Sequence, residues 1–80
     1  LAMSSEKRAV DLAINDFVNQ YGGEASDVSV ISVSKQQIPN PPTAPGQVSI
    51  NPVRYRFFVQ LRGNSAEARY RVEGGHVYRG

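Results

Sequence analysis

Residues 53–80 of this 80-residue chain carry six arginines, at positions 54, 56, 62, 69, 71 and 79, against only Glu67 and Glu73, a local balance of +4. Residues 1–52 carry five acidic groups against Lys7, Arg8 and Lys35, a balance of −2. The asymmetry says more about partners than the net +2 does. Arg54, Arg56, Arg62, Arg69 and Arg71 fall in one phase of two alternating segments, and Phe58 shares that phase. Basic groups interleaved with an aromatic can hold phosphates and stack a base. The plainer reading is a solvated sheet face whose arginines neutralise Glu67 and Glu73.

Residue types suited to covalent or metal chemistry are scarce. There is no cysteine, which excludes disulfides, thiolate metal sites and a thiol nucleophile. A nucleophile triad needs histidine, and His76 is the single one, beside the Gly74-Gly75 pair where a solvent-facing strand start is expected. No second histidine or close carboxylate cluster accompanies it, so no metal site is expected. Glu67 and Glu73 read as partners of neighbouring arginines rather than as an acid–base pair. Neither Gly22-Gly23 nor Gly74-Gly75 precedes a helix in the manner of a phosphate cradle. The expectation is a protein that is not an enzyme and holds no cofactor.

The elements that must position the arginines follow from periodicity. Val10, Ile14, Phe17 and Tyr21, with Ala13 and Val18 alongside, recur at helical spacing and predict a helix over 5–21. Ser4 or Ser5 can cap its start and Gly22-Gly23 its end. Residues 27–35 read as a strand whose alternation slips by one between Val30 and Ile31. A β-bulge there, or cover on both faces, would account for the slip. Residues 36–52 hold all five prolines and read as a long loop, with Val48 to Ile50 available as a short edge segment. Pro39-Asn40-Pro41-Pro42 within it can act as a stiff connector or as an extended ligand for an aromatic groove.

Residues 53–62 alternate most clearly. Val53, Tyr55, Phe57, Val59 and Leu61 point one way, and Arg54, Arg56, Phe58, Gln60 and Arg62 the other. Alternation resumes over 66–73, so a hairpin joins the two. A turn at Gly63-Asn64 would set Arg56 against Arg71. A turn at Asn64-Ser65 pairs Arg62 with Glu67 and Arg56 with Glu73, and is favoured on charge. Gly74-Gly75 then returns His76 to Arg79 as a last strand. The predicted fold is α+β: one N-terminal helix packed on a four-stranded antiparallel sheet, order α-β-β-β-β, in two layers.

At 80 residues the chain is read as a single domain, 1–80, burying roughly 60 % of its unfolded surface. It begins Leu1-Ala2-Met3, and residues 1–4 are expected to be a cloning remnant or disordered. No apolar run approaches the ~20 residues of a membrane span, and no signal peptide is visible.

One helix followed by an antiparallel meander resembles the cystatin-like arrangement and the small bacterial envelope domains built that way. The resemblance lies in element order and covers most of the chain. It implies the two-layer fold, and an exported or envelope location. Cystatin inhibitors carry a Gln-x-Val-x-Gly hairpin, from which Gln47-Val48-Ser49-Ile50-Asn51 departs in spacing and in lacking the glycine. Arg54-Tyr55-Arg56-Phe57-Phe58-Val59 is similar to a ribonucleoprotein strand motif, without its glycine and aromatic alternation. The leading functional expectation is a non-catalytic binding domain whose partner is a protein met through the sheet face, the loop or an edge strand. The alternatives are weak nucleic-acid or polyanion binding through the arginine face, and protease inhibition by analogy of fold. The expected binding face is Arg54, Arg56, Phe58, Arg62, Arg69 and Arg71. Oligomeric state does not follow from these patterns.

Overall fold

In the computed structural model, which describes residues 4–39, 44–46 and 53–80, helix α1 spans Ser5–Tyr21. The Ser4 hydroxyl accepts the Lys7 amide at 3.2 Å, satisfying one of the donors left over in the first turn. The helix stops where Gly22 turns to φ 82° and donates its amide to the Val18 carbonyl. A single turn of 3-10 helix, Ala25–Asp27, leads into β1, Ser29–Gln37. The sheet continues with β2, Tyr55–Arg62, β3, Glu67–Glu73, and β4, His76–Arg79, in the spatial order β1, β2, β3, β4 with every pairing antiparallel. This is the expected α-β-β-β-β, two-layer α+β fold.

Strand registers follow the charge argument. Arg62 stands opposite Glu67 and Arg56 opposite Glu73, with the turn at Asn64-Ser65. Gly74 and Gly75, at φ 58° and 78°, make the second tight turn and set His76 opposite Glu73. The slip in β1 is a bulge, since the register shifts between Val30 and Ser32. Cover on both faces is not the explanation, because Val33 is the one residue of β1 that is even half-buried. The strand begins two residues later than its sequence suggests, displaced by the 3-10 turn. It also runs two residues longer, where Gln36 and Gln37 pair with Arg56 and Tyr55. The suggested edge segment Val48 to Ile50 and most of the proline-rich stretch lie outside the described residues.

The core is Ala9, Ala13 and Phe17 of α1 against Phe57, Val59, Leu61, Tyr70 and Val72. Fully burying side chains such as Leu61 and Val59 stabilises the fold by roughly 1.5–3 kcal/mol each. The helix is therefore rotated from the stripe of Val10, Ile14, Phe17 and Tyr21 that its large residues suggest. Two alanines one turn apart let the helix axis approach the sheet, and bulkier Val10, Leu12 and Ile14 pack as half-buried flanks. Tyr21 is 48 % exposed, its ring tilted against that of Phe17 at 4.7 Å between centroids. Val53 and Tyr55, in phase with the core residues Phe57, Val59 and Leu61, are exposed as well. They border a cleft of about 440 Å³ that separates that end of the sheet from Ser5, Arg8 and Leu12 at the start of the helix.

One ion pair ties the helix to the last strand. Arg79 donates to both Asp16 oxygens, at 2.9 and 3.2 Å. That hydrogen bonding, with the guanidinium charge and the Tyr70 hydroxyl adding to it, holds the Asp16 carboxyl below its ordinary 3.8. Burial, then the Asp16 charge, pushes Tyr70 up to about 12. The signs fix two pH windows. Stability from the Asp16 pair is present above pH 3.8 and is lost as pH falls through the depressed folded value. Stability from keeping Tyr70 protonated is complete below the ordinary tyrosine value of 10 and is lost between there and about 12. Asp16→Asn should remove the acid-side sensitivity and bring the Tyr70 titration part of the way back towards 10. Thermal unfolding across pH and an ultraviolet tyrosinate titration check both; an unchanged Tyr70 titration would mean that burial alone sets it.

Candidate functional site

The face of the sheet opposite the helix is built by residues that alternate with the core. Their cross-strand register sorts them into rows. Ser34, Phe58, Arg71 and Tyr78 form one row, and Gln36, Arg56, Glu73 and His76 the next on one side. On the other side lie Ser32, Gln60 and Arg69, then Ser29, Arg62 and Glu67. Two aromatic rings thus stand on an otherwise polar surface, Phe58 at 41 % and Tyr78 at 44 % exposure, with Arg71 between them. The Arg71 guanidinium lies over the Tyr78 ring at 4.4 Å from its centroid, a favourable cation–π contact. A trough of about 570 Å³ follows this row on the side of Arg69 and Ser32.

Most of the charge on this face is matched internally. Glu67 takes Arg62 at 3.4 Å and accepts a hydrogen bond from the Gln60 amide. Glu73 lies 3.8 Å from Arg56 and 3.7 Å from Arg71, shared between the two. Arg69, exposed in the middle of β3, has no carboxylate partner among the described residues. The exposed Arg62–Glu67 pair adds little to stability, so its main effect is to set the field that a partner meets.

Of the six residues expected to make the face, the structure brings together Arg56, Phe58, Arg62, Arg69 and Arg71. Arg54 lies just outside β2. It precedes β2, its carbonyl accepts the Ile38 amide at 2.8 Å, and it borders the cleft at the start of α1. Ser32 and Ser34 were hidden from a reading of β1, because their phase on the open face is decided only after the bulge. Pairing of β1 with β2 reveals it.

His76 is exposed beside Glu73. Among the described residues no three histidine or carboxylate side chains gather as a metal would need, and no helix is long and apolar enough to cross a membrane. The segment Gln47 to Asn51, where cystatin inhibitors differ from this chain, lies outside the described residues. The arrangement offers stacking surface, hydroxyl groups and one uncommitted guanidinium, a set suited to recognition. Comparison with protein-family models, with curated proteins and with solved structures finds no match, so this geometry is what a functional reading has to stand on.

Proposed function

We propose that this chain is a non-catalytic binding domain whose partner is a protein met through the open face of the sheet. The supporting observation is the pair of exposed rings, Phe58 and Tyr78, flanking a guanidinium that lies over one of them. Aromatic and arginine side chains contribute most where interfaces exclude water, because each brings large contact area with few rotatable bonds. A face kept only for solubility would gain nothing from Phe58.

A random peptide display library panned on the immobilised chain tests this reading. Selected peptides should bind Phe58→Ser and Tyr78→Ser about tenfold more weakly, the usual cost of truncating an interface anchor. Both positions are exposed, so the substitutions should leave the fold intact. Selected peptides that bind both variants as tightly as the parent chain would sink it. The second reading, a weak binder of nucleic acid or another polyanion, is supported by the excess of arginine on the face. It requires affinity that falls steeply with salt and weakens when Arg56 or Arg71 becomes Ala.

A further inference from the structure

The charges already matched within the face narrow the chemistry of what it binds. Four arginines of β2 and β3 stand on it, and Glu67 and Glu73 lie within 4 Å of three of them, Arg62, Arg56 and Arg71. Arg69 alone of the four has no carboxylate beside it among the described residues. A polyanion gains affinity from each phosphate it places against a free cation. Two carboxylates against four guanidiniums leave this face with a balance of only +2, and Arg69 is where a partner's carboxylate meets no competing carboxylate within 4 Å among the described residues.

The trough sets where that group sits. Phe58, Arg71 and Tyr78 border one side, Arg69 the other, with Ser32 and Ser34 at the β1 end and Gly80, which has no side chain, at the β4 end. Phe58 pairs with Arg71 and Gln60 with Arg69, so Phe58 and Arg69 are diagonal neighbours, about 7–8 Å apart in such a lattice.

We propose that the open face binds an extended segment of a partner protein in which an Asp or Glu stands close in sequence to an aromatic or branched aliphatic residue. The carboxylate pairs with Arg69, and the apolar side chain lies on Phe58 and Tyr78. This rests on the binding-face reading above and adds the partner's chemistry to it.

The test is an NMR titration of the whole chain with the blocked peptide Ala-Glu-Ala-Phe-Ala and its uncharged isostere Ala-Gln-Ala-Phe-Ala. Heparin and a short oligothymidylate run in parallel at low and physiological salt. The Glu peptide should shift the amide signals of Phe58, Arg69, Arg71 and Tyr78 and bind about two- to fivefold tighter than the Gln peptide, the range of an exposed ion pair. In Arg69→Gln that ratio should fall to near one, while Phe58→Ser should weaken both peptides alike. Equal affinity for the two peptides in the parent chain overturns the acidic assignment, and if both still depend on Phe58 the face remains a binding face. Absence of shifts at these residues with either peptide overturns the proposal. Tighter, steeply salt-dependent binding of heparin or oligothymidylate at the same residues overturns it in favour of a polyanion.

Discussion

Phe17→Ala is expected to lower the unfolding free energy by about 3–5 kcal/mol. Phe17 is 2 % exposed and is the one large side chain that α1 buries completely enough to join the core, since Ala9 and Ala13 complete its inner face. Truncation removes the ring's transfer free energy and leaves a void that two alanines cannot fill. A chain of this length has a total stability of roughly 4–12 kcal/mol, so the loss approaches the whole of it. Urea unfolding followed by circular dichroism should show a midpoint displaced far to lower denaturant, or a chain already unfolded in water. A loss under about 1 kcal/mol would show that the helix does not depend on this ring for its docking.

Gly63→Ala should be the next most damaging, at about 1–3 kcal/mol, through overpacking rather than through backbone strain. A Cβ at position 63 would lie 2.7 Å from Cε1 and 3.0 Å from Cζ of Phe17. The Phe17 ring is enclosed by the core and has little room to retreat. Gly63 does not have a positive φ, so alanine has no conformational objection to it. The two sites are therefore coupled. Phe17→Leu removes both clashing ring atoms, and in that background Gly63→Ala should cost at least about 0.5 kcal/mol less than it does alone. Strictly additive losses in a double-mutant cycle would mean that the close approach is relieved elsewhere.

The same pair shows why part of this fold is legible in one dimension and part is not. Alternation over 53–62 and 66–73, the two glycine-marked stops and the helical spacing of 5–21 are local signals, each generated by one element's own geometry. Charge alone then chose between two hairpin registers, because a slip would have set Arg56 against Arg71. Those signals do not carry the angle at which the helix meets the sheet. Large residues at Val10, Ile14 and Tyr21 suggested one stripe, whereas close approach favoured the small residues Ala9 and Ala13 as the contact. Alternation likewise puts Val53 and Tyr55 in phase with Phe57, Val59 and Leu61, but α1 leaves an open cleft beside them.

For the candidate site the division is similar. The amino-acid sequence by itself determined that arginines and Phe58 share one phase, that the sheet has a face to carry them, and that glutamates of β3 stand across from two of them. It did so because alternation and hairpin register are short-range properties. Tertiary structure decided which arginine is left uncommitted and what surrounds it. Arg69 stands free because Glu67 is taken from β2 by Gln60 and Arg62, while Glu73 is shared by Arg56 and Arg71. Ser32 and Ser34 reach the trough because the bulge in β1 resets their phase, and Tyr78 reaches Arg71 because β4 folds back on β3. These are relations among four strands, and a chain specifies them only once pairing brings distant residues side by side.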